Sequence, residues 1–299
     1  MRVAGETTTA DRKKLVQALR QRADRLRAQG QYGPAEELFK QALALAEAVF
    51  PPDALELVAL LNNHAVLYKY SGQFDEAEQL YRRALSIAVQ HQGEEHPQVA
   101  TLYHNLGGLD HARGRFAEGE PAARRSVEIR QRALDAGHPQ ATEAQVAADL
   151  AALAGILDGQ ARYDESEPIY RHALAIFEGR LKLGDRDAEY EIAINLNNLA
   201  AVYNRTGREA EAEPLYRRSL AIKEELLGAS HPDVGVTLNN LAVLLKKQAR
   251  RDEAEAMFRR ALDIFERALA PGHPKLAACL QNYAGLLRQM ERSAEAVEQ

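Results

Sequence analysis

The sequence predicts an all-α solenoid, an array of stacked helical hairpins, on three observations. A five-residue motif recurs every 42 residues along almost the whole 299-residue chain. A second motif follows each copy at a fixed distance, with apolar residues at i, i+3, i+4 and i+7, the period of a helix with one buried face. Glycines fall between the two motifs, where a helix can end in a left-handed residue. A fixed period of this size marks a repeat architecture, in which each unit buries its apolar face only against its neighbours.

Seven copies are present. The first, Leu19-Arg-Gln-Arg-Ala23, is degenerate and belongs to a repeat over 11–50, preceded by a flexible tail over 1–10. Leu61-Asn-Asn-His-Ala65 marks the repeat over 51–92, and Tyr103-His-Asn-Leu-Gly107 the one over 93–136. The fourth copy, Leu150-Ala-Ala-Leu-Ala154 in 137–183, is out of register: 47 residues separate Asn105 from Ala152, and 46 separate Ala152 from Asn198. Leu196-Asn-Asn-Leu-Ala200, Leu238-Asn-Asn-Leu-Ala242 and Leu280-Gln-Asn-Tyr-Ala284 mark the repeats over 184–227, 228–270 and 271–299.

The second motif reads Asp75-Glu-Ala-Glu-Gln-Leu-Tyr-Arg-Arg-Ala-Leu85 and returns from Asp164, Ala210 and Asp252. Gly30, Gly72, Gly114 and Gly207 separate the paired helices. The His-Pro pairs at His96, His138, His231 and His273 are expected just before first helices, with proline in the first turn. Ser293 begins an incomplete second helix of the last repeat, leaving Leu280, Ala284 and Leu287 without their partner. That predicts self-association through this end, or a longer parent chain.

The pattern resembles the tetratricopeptide repeat, and its 42-residue form resembles the kinesin light chain repeats. Ala65, Tyr68, Gly72, Ala77, Tyr81 and Ala84 match that family's small and aromatic positions. The resemblance implies a single right-handed α-solenoid over 11–299 whose first helices line a concave groove. It also implies that the ligand is an extended peptide or protein segment held there.

On the first helix of the second repeat, Leu61, Ala65 and Tyr68 form a core stripe, leaving Asn62, Asn63, Val66 and Lys69 for the groove. Asparagine recurs at that place as Asn63, Asn105, Asn198, Asn240 and Asn282, with Asn62, Asn197 and Asn239 preceding three of them and His104 and Gln281 the others. Asparagine is a middling helix former, whereas a carboxamide matches the alternating C=O and N–H of an extended backbone. These residues are therefore expected to contact peptide, to bridge neighbouring helices, or to do both. One turn on, Lys69, His111, Asn204, Arg205, Lys246, Lys247 and Arg288 form an expected basic strip, favouring an acidic segment or a carboxylate. Around the fourth repeat, Ala151, Ala152 and Gly155 with Gly107 and Gly108 predict a hollow for one bulky ligand side chain.

The remaining features narrow the function. A net charge of −5 and a pI near 6.0 provide no bulk attraction to nucleic acid or anionic membranes. One cysteine makes no internal disulfide, and histidines a repeat apart cannot share a zinc ion. No Walker A, HExxH, GxSxG or dinucleotide fingerprint occurs, and no cofactor is implied. Met1–Ala10 lacks the apolar stretch of a secretory signal. The expected protein is a cytoplasmic, non-enzymatic interaction scaffold or adaptor. The alternative is a regulatory or sensory module of a larger protein.

Overall fold

Amphipathic repeats of this length fold as paired helices because each helix has one apolar face to bury. The computed structural model describes residues 8–298, with side chains up to residue 291. Thr8 caps α1 (Thr9–Ala28) through a capping box with Asp11, so part of the expected tail is capped helix, and residues 1–7 lie outside the described residues. The helices fall into two compact units, one running to Ala141 and the other from Thr142. The boundary between them falls where the repeat spacing widens.

The first unit adds α2 (Tyr32–Glu47), α3 (Leu57–Ser71), α4 (Phe74–Gln92), α5 (Pro97–Ala112) and α6 (Phe116–Asp135). The second contains α7 (Glu143–Gly159), α8 (Tyr163–Lys182), α9 (Ala188–Arg205), α10 (Glu209–Leu227), α11 (Pro232–Lys247), α12 (Arg251–Ala268) and α13 (Pro274–Glu298). Among the described residues every regular element is an α-helix. Helices pair within each repeat, and first helices also touch the first helices of adjacent repeats: α1 with α3, α3 with α5, α7 with α9, α9 with α11.

One aromatic anchor per second helix fills the space between paired helices. Phe39, Tyr81, Tyr170, Tyr216 and Phe258 are fully buried, and each contributes about 1.5–3 kcal/mol by leaving water. Small residues opposite, such as Ala65, Ala200 and Ala242, let the helices approach. The third repeat departs from this rule: Ala122-Ala123 stands where the second has Leu80-Tyr81. Losing the ring draws α5 and α6 together. A Cβ on Gly107 would lie 3.2 Å from the Ala123 backbone nitrogen, so a side chain there would press on the backbone of α6.

The turns follow the glycines. Gly72 has φ +84°, and Ala249 occupies the equivalent left-handed position in the sixth repeat with φ +60°. Glu291 is the next equivalent position. Here α13 continues unbroken to Glu298, and the second helix expected from Ser293 does not form separately. His96 and His231 cap α5 and α11 through Nδ1, as the His-Pro spacing predicts. His138 does not begin a helix: inserted residues intervene, and a Thr142–Gln145 capping box starts α7 instead.

Candidate functional site

The asparagines of the first helices hydrogen-bond to one another in a directional chain. In the first unit, Asn105 Nδ2 donates to Asn62 Oδ1 at 2.7 Å, Asn62 Nδ2 to Asn63 Oδ1 at 3.1 Å, and Asn63 Nδ2 to Asp24 at 2.8 Å. The second unit builds the same ladder. Asn282 donates to Asn239 at 3.1 Å, Asn239 to Asn240 at 3.3 Å, Asn240 to Asn197 at 3.2 Å, and Asn197 to Asn198 at 3.2 Å. These bonds use one N–H and one lone pair on each of Asn62, Asn197 and Asn239, half the capacity of a carboxamide. Asn197 is buried, while Asn62, Asn63, Asn105, Asn198, Asn239, Asn240 and Asn282 are half-buried. His104 is also half-buried, and Gln281 is exposed. The structure thus places bridging contacts between these side chains, which lie less open to solvent than an unengaged groove face.

The expected basic strip is partly neutralised by internal partners. Arg205 pairs with Asp158. Lys247 Nζ donates to the Asn204 carbonyl at 2.8 Å and to its Oδ1 at 3.0 Å, with Glu209 at 3.6 Å. Asn204 itself is buried. Lys69 and Lys246 extend over glycines of the following repeat, 3.5 Å from where a Cβ of Gly108 would stand and 3.4 Å from that of Gly285. Arg288 and His111 are exposed.

Gly107 is closed by α6, Lys69 covers Gly108, and Ala151 and Gly155 are buried. A hollow of about 480 Å³ lies beside Ala122 in the first unit, lined by Leu85, Leu106 and Leu109 and rimmed by Glu78, Arg82 and Arg125. Its cause is the missing leucine side chain at position 122. Ala122→Leu should fill it and stabilise the first unit by about 1 kcal/mol, read as a higher urea midpoint; an unchanged or lower midpoint would show the space cannot take the side chain.

A second cavity, of about 380 Å³, opens in the second unit between the start of α7, the end of α8 and the start of α9. Phe177 and Ala148 contribute apolar surface, and Arg180, Asp185, Asp187 and Glu191 contribute charge. Glu191 precedes Asn198 by two helical turns, which places both on one face of α9.

The second helices carry i,i+4 ion pairs, among them Glu78–Arg82 and Glu213–Arg217. Such pairs contribute a few tenths of a kcal/mol each. Among the described residues, no group of three or more His, Cys, Asp or Glu could hold a metal ion. No described helix is long and apolar enough to cross a membrane. Cys279 is buried, which pushes its thiol up to about 11.

A family model described as tetratricopeptide repeat matches residues 56–132, 98–179, 191–267 and 237–299, and a second of the same description matches 15–53. The chain belongs to the tetratricopeptide repeat family. Among solved structures, its repeats are similar to BtubC (BKLC) from P. vanneervenii, 25% identical over 76% of this chain and 93% of that one, with a TM-score of 0.51. NprR in complex with its cognate peptide NprX is 14% identical over 96% of this chain and 79% of its own, with a TM-score of 0.68. A Rap protein complexed with Competence and Sporulation Factor is 15% identical over 95% and 79%, with a TM-score of 0.62. No curated protein matches the chain. The repeats are of the kinesin light chain-like type, and a tetratricopeptide array of this kind is a scaffold for protein–protein interaction.

Within this tetratricopeptide framework, the buried His64 and Lys223 and the half-buried Asp233 are not visible as motifs, the first two because each replaces a core residue in a single copy. His64 stands where Leu106, Leu199 and Leu241 stand in other copies. It stacks on Phe39 at 5.3 Å and packs on Tyr68 at 4.4 Å, and burial pushes its imidazole down to about 4. Lys223 stands where the fourth and sixth repeats have Phe177 and Phe265. Its Nζ bonds Thr237 Oγ1 at 2.9 Å, and burial pushes it down to about 8. Asp233, on the first turn of α11, accepts from Tyr190 at 2.6 Å. Burial would raise its carboxyl, but Lys275 and Lys223 outweigh this and hold it below the usual carboxylate value.

Proposed function

We propose that the protein is a non-enzymatic scaffold that holds an extended peptide or protein segment along its first-helix face. The observation that carries this reading is the asparagine ladder. Each carboxamide is fixed in direction by its neighbours yet retains hydrogen-bonding capacity toward solvent. Neighbouring helices stand about 8–10 Å apart, and a strand advances about 3.3 Å per residue, so one asparagine meets the ligand backbone about every third residue. A preset amide loses little freedom on binding, which favours affinity. Two proteins with this fold, NprR and Rap, are solved with a peptide or factor bound, which supports a peptide ligand here. A carboxylate on the segment pairs with Lys246, whereas Arg205 and Lys247 serve internal partners.

The test is selection of peptides from a random displayed library on the intact protein, followed by calorimetric titration of a selected peptide. Asn105→Ala and Asn240→Ala should each weaken binding several-fold, the loss of about one net hydrogen bond, with no dependence on salt. Lys246→Glu should weaken it in a salt-sensitive way. Variants that bind as tightly as wild type would refute the groove. Variants that lose helical circular dichroism would make the ladder structural only.

A further inference from the structure

The hollow beside Ala122 lies between the second helices α4 and α6, over α5, and its origin is a single side chain. At the equivalent place the other second helices carry Leu38, Leu80, Ile169, Leu215 and Met257, each half-buried. Ala122 provides only a methyl, and the apolar floor of Leu85 and Leu106 stays partly open. Tyr103 adds a ring to that floor. It is half-buried, whereas Leu61, Leu196 and Leu238 at the same place in other copies are fully buried. Two arginines stand at the rim, and both are engaged: Arg82 pairs with Glu78 at 2.7 Å, and Arg125 with Glu95 at 2.7 Å. Their N–H groups serve these carboxylates, while the flat face of a guanidinium can still stack on a ring. Asp110, 3.8 Å from Arg113, and the exposed Glu118 complete the rim.

We infer that this hollow is an anchor site for an aromatic side chain of a partner protein, docked on the side of the first unit that α4 and α6 present. Its volume of about 480 Å³ falls in the range of ligand pockets, about 300–1,000 Å³. An apolar space of about 150 Å³ already holds a benzene ring, so a phenyl or phenol group enters with room for its stem. Stacking on Tyr103 and on the guanidinium faces of Arg82 and Arg125 favours a ring over an aliphatic chain. The rim carries both signs of charge, which selects a neutral group. An acidic side chain would meet Asp110 and Glu118, and a basic one would meet Arg82 and Arg125. A pocket for one ring, encircled by charged residues, has the form of an interface hot spot, where a polar rim keeps water from a buried anchor. On a scaffold for protein–protein interaction, that form favours a partner's side chain over a free aromatic molecule. The lining includes neither Asn62 nor Asn105, so the site is separate from the ladder and does not depend on a peptide lying there.

The experiment uses the intact chain and Nα-acetyl-para-fluorophenylalanine methylamide as the probe, followed by fluorine NMR. A saturable shift is expected with wild type. Ala122→Leu should abolish it by occupying the space, and circular dichroism verifies that the variant keeps its helices. Arg125→Gln leaves the volume unchanged and removes one guanidinium face, so the probe's affinity should fall about threefold. Nα-acetylleucine methylamide should displace the probe only at several-fold higher concentration. No saturable shift with wild type, full affinity in a folded Ala122→Leu, unchanged affinity in Arg125→Gln, or leucine displacing as well as the aromatic compound would each overturn the site. Should Ala122→Leu lose its helices, Arg125→Gln and the leucine competition decide alone. Para-fluorotoluene, which has no main chain, should bind no more tightly than the amide; tighter binding would mark a pocket for a free aromatic molecule and overturn the partner. Asn105→Ala should leave the probe's affinity unchanged, so the hollow and the groove stand or fall separately.

Discussion

Replacing Asp233 by asparagine lowers the stability of the second unit by about 3 kcal/mol, because it leaves the buried Lys223 ammonium without its nearby anion. Asparagine keeps the shape and can still accept from Tyr190, so the loss isolates charge. Lys223 is only 3% exposed and bonds a neutral hydroxyl, so the nearby carboxylate is what makes its ammonium tolerable. His231 lies 3.8 Å from the same carboxylate. Adding Lys223→Met to Asp233→Asn should therefore recover most of the loss, which urea melts at pH 7 measure directly. A double variant no more stable than Asp233→Asn would show that the pair is uncoupled. The lysine also sets a pH signature. Below pH 8 folded and unfolded chains both hold its proton, whereas between 8 and 10.5 only the unfolded chain does. Wild-type stability should rise through that window, and Lys223→Met should remove that rise.

Replacing His64 by leucine makes the first unit resistant to mild acid. The imidazole is 2% exposed, and neither ring nitrogen has a hydrogen-bond partner among the described residues. Glu36 and Lys40 act on it from α2 with opposite signs, and burial exceeds both. Between pH 6.5 and about 4 the unfolded chain takes a proton that the folded chain refuses, so stability falls as pH falls. From pH 7 to pH 5 the loss is about 2 kcal/mol. Leucine is the residue of four other copies at this place (Leu106, Leu153, Leu199 and Leu241), so the core should accept it. The expected result is a higher urea midpoint at pH 7 and a flatter pH profile down to 5. A variant with the wild-type slope would show that other groups govern acid sensitivity.

The parts of the fold legible in the sequence are those fixed by period and local chemistry. Leu61, Ala65 and Tyr68 share a face by helical geometry, and Gly72 marks a left-handed turn, before any long-range contact is known. The asparagine positions were legible for the same reason, since every copy repeats the same environment. The direction of their bonds was not, because an Oδ1 or Nδ2 can face ligand, helix or solvent with equal ease from one backbone position. Arg205 and Lys247 looked available on a helix face, yet Asp158 and Asn204, 47 and 43 residues away, engage them.

Composition and a 42-residue period by themselves determined an all-α repeat protein, its helix pairs and the side of each helix that is buried, because these follow from backbone geometry repeated along the chain. Tertiary structure alone decided what the breaks in the repeat create. Ala123 in place of an aromatic ring pulls α5 onto Gly107, Ala122 in place of leucine leaves a hollow, and α13 runs on past Glu291 without a turn. The inserted loop at Gly184 aims carboxylates into a cavity. Each outcome depends on whether volumes and charges brought together from distant segments fill or leave space, a quantity that no local pattern encodes.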